Sequence, residues 1–399
     1  MFKNPNFKII NISGSDYLLP FGQAISDHKR GIKISRSGAD LWNMLENFDS
    51  EDELISECIS QDQISGYSAS EAASDIKAFL EQLKKLGIIL DEKPHDPTPV
   101  AYEGTVAFED AFRNAGVSAP SKVTIAGINL ELTIDQALTS AKFASFASDF
   151  SADADISVRT TEKDITVSEK ETILVDASEM TISESDSFHI IRYKKNTCVE
   201  VMYIRKAGSE VLICLNAKSD VNTATDEVFH AIRIPFLMLA ESRGMYAIHS
   251  ASVLYKEKAW FFSAPAGTGK STHAKLWTTY SDAVNINGDL NLIGMDEGKP
   301  SVFGIPWCGT SEIYSTEEYP LGGAVFLKQS PENKIEKFGT EKALVTLSRR
   351  TISPVWNEAS LEKMIRDLEP VSKSITSLRL YCTKDPEAQE ILQDYITNL

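Results

Sequence analysis

The sequence predicts a mixed chain of α+β and α/β character, with a small helix-rich domain first and a domain built around one Gly-rich turn last. Three observations carry that expectation. Residues 1–90 pair a hairpin signal with three helical patterns. Residues 100–220 hold many short apolar runs of strand length. Residues 264–271 form a Gly-rich turn between an apolar run and a helical pattern.

Length and composition bound the rest. A chain of 399 residues is too long for one ordinary domain, and 42% hydrophobic residues give it material for real cores. The net charge of −17 argues against general binding to nucleic acid or an anionic membrane. Residues 101–190 alone carry sixteen Asp and Glu against six Lys and Arg, a net of −10, which reads as a solvated acidic surface. Five scattered cysteines without a C-x-x-C suggest neither a disulfide framework nor a zinc site. The N-terminus has no secretory pattern, and the longest apolar run, at 232–240, is broken by Arg233 and Pro235 and is too short for a bilayer. A cytoplasmic protein is expected.

In order, residues 7–12 and 17–21 read as strands around a Ser-Gly-Ser-Asp turn. Ser37 can cap a helix bearing Leu41, Met44, Leu45 and Phe48 on one face, and Ser50 to Glu53 resembles a capping box. Ser70 can start a third helix, with Ile76, Phe79, Leu80, Leu83 and Leu86 on one face and Gly87 as the stop. A hairpin with three short helices describes a winged-helix-like domain. Its third helix mixes charges and lacks a basic stripe, so DNA binding is disfavoured. Residues 91–100 hold three prolines among charges and read as a linker. Strands are expected at 123–132, 156–159, 165–167, 172–175, 190–192, 199–204 and 211–215, and a helix at 134–147. His189 reads as structural. A helix over 225–242 follows, kinked or shifted by Pro235 and ended by Gly244. Residues 247–255 and 259–263 then read as one hairpin leading into the turn. Beyond 327 the pattern is helical at 341–349, 361–368 and 385–395, with a last strand at 378–382.

The turn carries the chemistry. Ala264 to Ser271 fits the phosphate-binding pattern G-x-x-x-x-G-K-[ST], with Ala264 replacing the first glycine. Gly267 and Gly269 let the backbone curl so that the N–H groups of Ala266, Gly267, Thr268, Gly269, Lys270, Ser271 and Thr272 point at one anion, beside a helix N-terminus. Lys270 can reach a β- or γ-phosphate, and the Ser271 hydroxyl can ligate Mg²⁺. Asp289, eighteen residues after Ser271, follows a strand-like run, where a carboxylate can meet Mg²⁺ or an attacking hydroxyl; Asn-Gly-Asp is also ordinary turn chemistry. His249, on the expected first arm of the hairpin, is either structural or brought beside the loop. His273 packs or faces solvent. Cys308 has no partner that would make it a nucleophile.

Two resemblances extend this reading. The hairpin, the helix start ISRSGADLWNMLE and the ending DIKAFLEQLKKLGIIL resemble the PqqD-like family, the recognition element for precursor peptides in ribosomal peptide maturation. That resemblance implies a leader peptide added as a strand to the hairpin edge. IHSASVLYKEKAWFFSAPAGTGKSTHAKLW, INGDLNLI and FGIPWCGTSE resemble, in that order, the HPr kinase/phosphorylase-like proteins, whose core is related to phosphoenolpyruvate carboxykinase. It implies a mixed-sheet P-loop domain at 241–399, a β-rich first part of the kinase-like region at 101–240, and phosphoryl transfer with ATP and Mg²⁺. Lys270 and the loop amides then hold the phosphates, Ser271 ligates the metal, Asp289 acts as base, metal ligand or both, and His249 stands beside it. Those enzymes carry two consecutive aspartates where this chain has Gly288 and Asp289, so base and metal duties fall on one residue or Glu312 assists. Trp307 and Glu312 line the acceptor side, or Trp307 is core. Arg349, Arg350 or Arg366 can add a cation.

The expected function is phosphorylation of a Ser or Thr hydroxyl on a ribosomally made precursor peptide. The alternatives are a kinase of a small hydroxylated metabolite such as serine, and a non-catalytic nucleotide-gated peptide carrier. The sequence leaves open whether the chain forms a homo-oligomer.

Overall fold

A computed structural model of the chain describes residues 1–60, 68–94, 102, 104–116, 119–206, 210–216, 220–265 and 267–399. The expected linker at 91–100 therefore lies mostly outside the described residues. Helices accompany large sheets of parallel and antiparallel strands, and the chain divides into two compact units. The first takes Met1–Pro99 with Thr172–Thr181 and Val355–Glu362; the second takes Val100–Glu171, Ile182–Pro354 and Lys363–Leu399. No described helix is long and apolar enough to cross a membrane.

In the first unit, Phe7–Ile12 pairs antiparallel with Ser15–Pro20 through a two-residue turn, Ser13 at φ 52° and Gly14 at φ 84°. Positive φ at both positions matches the right-handed twist of a hairpin. A third strand, Ile32–Ile34, pairs with the second; the sequence reading had no strand there. Two helix starts are corrected. The cap of Arg36–Met44 is Ser35, whose Oγ accepts from Gly38 N, rather than Ser37. The cap of Ala69–Lys85 is Ser68 rather than Ser70, because only Ser68 has Glu71 three residues on to close a capping box. Glu53 N–H does donate to Ser50 Oγ at 3.2 Å, at the head of Glu51–Ser60. Leu18, Leu45, Leu54, Leu80, Leu83 and Ile88 fill the core between hairpin and helices, all fully buried.

The second unit begins with a sheet whose strands run, side by side, Phe188–Tyr193, Val199–Arg205, Glu210–Leu215, Ile156–Thr161, Ile128–Thr133 and Ser121–Ile125. The single strand expected at 123–132 is two, folded at Ala126 and Gly127, both at positive φ. The helix expected at 134–147 is instead two 3₁₀ turns, Gln136–Leu138 and Ala141–Phe146, capped by Asp135 and Ser140. Side-chain oxygens at those caps take the N–H groups that a continuous α-helix would need. The helix Val221–Ser242 starts earlier than expected, at Asp220, which accepts from Asn222 N and Thr223 N, and it runs on through Pro235.

The second sheet of this unit orders Tyr246–His249, Leu290–Asp296, Lys299–Phe303, Tyr319–Gln329, Lys258–Ser263, Ala251–Tyr255 and Val284–Asn287. Lys258–Ser263 is antiparallel to Ala251–Tyr255 and parallel to Tyr319–Gln329, which is in turn parallel to Thr376–Cys382. The arm expected at 247–255 is broken. Ser250 ends one strand before the next begins, because Asn291 Nδ2 donates both to its carbonyl, at 2.7 Å, and to its hydroxyl, at 2.9 Å. Tyr246–His249 thereby leaves the hairpin and pairs with Leu290–Asp296 instead.

Candidate active site

The loop begins where a buried strand stops. Phe261 and Phe262 anchor Lys258–Ser263, and Ala264 is enclosed in the same cluster as Phe262 and Trp277. A methyl group at 264 is thus core packing, which accounts for alanine at the first position of the motif. Thr268 N donates to Pro265 O at 3.2 Å, Gly267 sits at φ 74° and Gly269 at φ 108°. These backbones are costly for any L-residue with a Cβ. The helix Lys270–Tyr280 follows with Gly269 as its N-cap and no side chain bonded to that cap, so its first amides remain available to a ligand. Ser271 and Thr272 are exposed, and Lys270 is half-buried. Ala266 lies outside the described residues. Beside the loop, a cleft of about 540 Å³ runs between Thr268, Thr272 and Leu276 on one side and Gln329, Pro331 and Thr383 on the other.

Facing the loop stand the ends of two paired strands. His249 closes Tyr246–His249 and lies opposite Leu290, the residue after Asp289. Pairing with this neighbour, rather than a place on the hairpin arm, sets its position. His249 N donates to Arg350 O at 3.0 Å, and its carbonyl accepts from Ser263 Oγ at 2.8 Å, which ties it to the start of the loop. Asp289 is held by its neighbours: Asn287 Oδ1 accepts from Asp289 N at 3.0 Å and from Leu290 N at 3.1 Å, and Ser250 N donates to Asp289 O at 2.9 Å.

Three side chains meet here. Lys270 Nζ lies 2.6 Å from His249 Nε2, and His249 Nδ1 lies 3.6 Å from Asp289 Oδ1. An ammonium can only donate, so Nε2 must be the acceptor and the ring proton sits on Nδ1, toward Asp289. That arrangement requires a neutral imidazole. Burial, then the charges of Lys270 and Arg350, hold the His249 pKa below its ordinary value, with Asp289 opposing. Burial lowers the Lys270 pKa as well, with Asp289 opposing and Arg350 adding to the fall. His249 therefore acts as a neutral link that carries the lysine on one nitrogen and aims the other at the carboxylate.

Backbone crowds the far side of Asp289. A Cβ on Gly309 would lie 2.9 Å from Asp289 Cβ and 3.1 Å from its Oδ2. A Cβ on Gly288 would overlap the Ser311 side chain, whose hydroxyl donates to Cys308 O at 2.7 Å. The room for a second consecutive aspartate is thus taken by Ser311.

Trp307 does not line an acceptor space. Its ring is 1% exposed, packs on Phe229 and Phe236, and donates through Nε1 to Phe229 O at 3.0 Å. Of the two readings the sequence offers for Trp307, acceptor side or core, this packing fits core. Glu312 is exposed, in a left-handed backbone at φ 57°. Cys308 is buried and its thiol pKa is pushed up by burial, which suits packing. His273 is buried with Nε2 unpartnered among the described residues. Arg349 and Arg366 are exposed, while Arg350 lies in the field of both His249 and Lys270. Sequence reading missed Arg233. Its one signal was a charge interrupting the longest apolar run of the chain.

No protein-family model matches the chain, and no curated protein matches it. Among solved structures, the Hpr(Ser) kinase/phosphatase from Coxiella burnetii matches over 38% of this chain and 88% of its own length, at 7% sequence identity and a TM-score of 0.23.

Proposed function

We propose that the chain is a kinase that transfers the γ-phosphoryl group of ATP to a hydroxyl. The observation that carries this reading is the Lys270–His249–Asp289 chain at the mouth of a loop whose glycines hold positive φ. A nucleotide whose phosphates enter the loop draws Lys270 toward their oxygens, and the exposed amides at the head of Lys270–Tyr280 add the positive end of a helix. The acceptor oxygen forms a bond to the γ-phosphorus as the bond from phosphorus to the β–γ bridging oxygen breaks. ADP leaves with that electron pair, and the hydroxyl proton passes to the Asp289 carboxylate. Neutral His249 orients that carboxylate through Nδ1–H.

Among the described residues no group of three or more His, Cys, Asp or Glu could hold a metal ion. The donors present, one carboxylate at Asp289 and one exposed hydroxyl at Ser271, fit the alternative in which Mg²⁺ arrives with the nucleotide and keeps phosphate and water ligands. When bound it neutralises charge on the phosphoryl oxygens.

The acceptor we propose is a Ser or Thr hydroxyl of a ribosomally made precursor peptide. In the first unit, Phe7–Ile12 is an edge strand of its sheet, open to an added strand from a leader, and the unit as a whole serves as a winged-helix-like, PqqD-like recognition module. Tethering a flexible substrate raises its effective concentration at the site. Incubation with labelled ATP, Mg²⁺ and candidate precursor peptides, followed by mass measurement, tests both parts. One phosphate added to a peptide supports the whole reading. One phosphate added only to free serine or a similar metabolite keeps the kinase and removes the peptide. Nucleotide binding without transfer to either leaves a nucleotide-gated carrier.

A further inference from the structure

The helix Val221–Ser242 turns an apolar face to its sheets, yet one guanidinium lies within that face. Arg233 comes one turn after Phe229 and three residues before Phe236, so the three share a side of the helix. Phe229 and Phe236 both pack on Trp307, at ring centroid separations of 5.7 and 4.9 Å. Two residues beyond Trp307, the Gly309 backbone rests against Asp289 on its Oδ2 side. His249 approaches the same carboxylate from the Oδ1 side and carries Lys270 on its other ring nitrogen. The packing thus sets the Arg233 face of the helix on the Trp307–Gly309 segment that borders Asp289, and Arg233 lies in the field of that carboxylate.

Arg233 has no hydrogen bond or ion pair with another described residue. Burial works against its charge, and the two groups whose fields favour it are Tyr193 and Asp289. The Tyr193 hydroxyl is itself buried with no hydrogen-bond partner among the described residues, and it lies in the field of Arg233. A buried hydroxyl normally finds a partner, and here the Tyr193 hydroxyl is left over in the field of a half-buried guanidinium that makes no hydrogen bond or ion pair with a described residue. A planar guanidinium fork beside a hydroxyl matches an oxyanion. Local charge points the same way. Lys270 and Arg233 both lie in the field of Asp289 and Arg350 lies in that of Lys270, a positive excess inside a chain of net charge −17.

Resting on the kinase reading above, we infer that Arg233, with the Tyr193 hydroxyl beside it, forms an oxyanion subsite on the acceptor side of Asp289. It takes either a carboxylate carried by the acceptor or the phosphoryl group as it reaches that acceptor. The first source restricts acceptors to molecules with a carboxylate near the reacting hydroxyl. The second makes Arg233 a clamp on the transferred group.

Calorimetric titration of the full chain, saturated with Mg-ADP, using acetate and inorganic phosphate as probes, tests the subsite. At least one anion is expected to bind, and Arg233→Gln is expected to weaken it tenfold or more, Arg233→Lys less, with Mg-ADP affinity unchanged within twofold. Tyr193→Phe, which removes only a hydroxyl, is expected to weaken the same anion about threefold, and it decides the matter with Arg233→Lys if Arg233→Gln does not fold. Weakened acetate binding assigns the subsite to an acceptor carboxylate; weakened phosphate binding alone assigns it to the transferred group. Failure of the unaltered chain to bind either anion, or equal affinity across the variants, overturns the inference. Absence of Mg-ADP binding overturns the kinase reading instead, and the same anions titrated without nucleotide still read Arg233.

Discussion

On the loop side of the candidate site, one unbroken stretch from Ala264 to Thr272 supplies the loop, the lysine, the helix end and the hydroxyls. On the other side, His249, Asp289 and Gly309 come from three separate segments and meet only because particular strands pair, and Arg233, from a fourth, lies in the field of Asp289. The first kind of site is a local property of backbone and can be recognised wherever the pattern occurs. The second is a product of tertiary structure. Any residue on the assembled side is exposed to changes made far away in the sequence, whereas the loop answers mainly to its own glycines.

The largest effects should separate these two sides. Lys270→Ala removes the group that links the two sides, bonded to His249 Nε2 and, in the proposed function, to the phosphates. Transfer should fall below detection and nucleotide affinity should drop with it. Asp289→Asn keeps the shape and removes the proposed base, so transfer should fall about 10²–10⁴-fold with nucleotide binding retained. Single-turnover transfer measured beside equilibrium nucleotide binding reads both. Loss of nucleotide binding in Asp289→Asn as large as in Lys270→Ala would mean that the two sides are not separable.

That contrast also explains what could be read in advance. The loop, with Lys270 and Ser271 at the head of its helix, is legible as backbone because the spacing of its glycines sets the positive-φ turn. Asp289 is half legible: Asn-Gly-Asp announces a turn, but only the Asn287 Oδ1 bonds show how that turn fixes the carboxylate. His249 was singled out, although its place on a hairpin arm was not correct, since the break at Ser250 depends on Asn291, some forty residues on. Trp307 looked like part of an acceptor wall because aromatic residues in a Gly-rich segment serve both core and site. Its burial is decided by Phe229 and Phe236 on a distant helix. Arg233 was noticed only as a flaw in an apolar run.

The next largest effects are on stability, and they carry opposite signs on the two sides. In the loop helix, burial holds the His273 pKa down at about 4, against an ordinary 6.5. The folded chain thus takes up that proton less readily than the unfolded chain, and stability is lost as pH falls from 6.5 toward 4, by about 3 kcal/mol from this group. In the long helix of the assembled side, burial raises the Glu241 pKa from 4.5 to about 8, with Asp367 adding and Lys363 opposing. There the folded chain holds the proton more tightly, so stability is lost as pH rises from 4.5 to about 8, by roughly 5 kcal/mol. Denaturant unfolding across pH should show the acid slope vanish in His273→Leu and the neutral-to-alkaline slope vanish in Glu241→Gln. If either slope persists in its variant, the assignment of that slope to the group is wrong.

The smallest effects test why each side uses glycine at all. Gly269 has nothing within 4 Å of where its Cβ would stand, but its φ is 108°. Gly288 has no such backbone, yet its Cβ would overlap Ser311. One glycine is required for conformation and the other for room. Gly269→Ala should therefore cost about 1–3 kcal/mol of strain or a rearranged loop, and no second substitution nearby should relieve it. Gly288→Asp, which places two aspartates in a row at 288 and 289, should cost a similar 1–3 kcal/mol through overpacking. Ser311→Gly in the same chain should recover most of that loss, because it removes the atoms in the way. The two double variants, each carrying Ser311→Gly, form a cycle readable by thermal unfolding. Rescue of Gly288→Asp without rescue of Gly269→Ala is the expected result. Equal response of both to Ser311→Gly would show that the loop is as dependent on distant packing as the wall it faces.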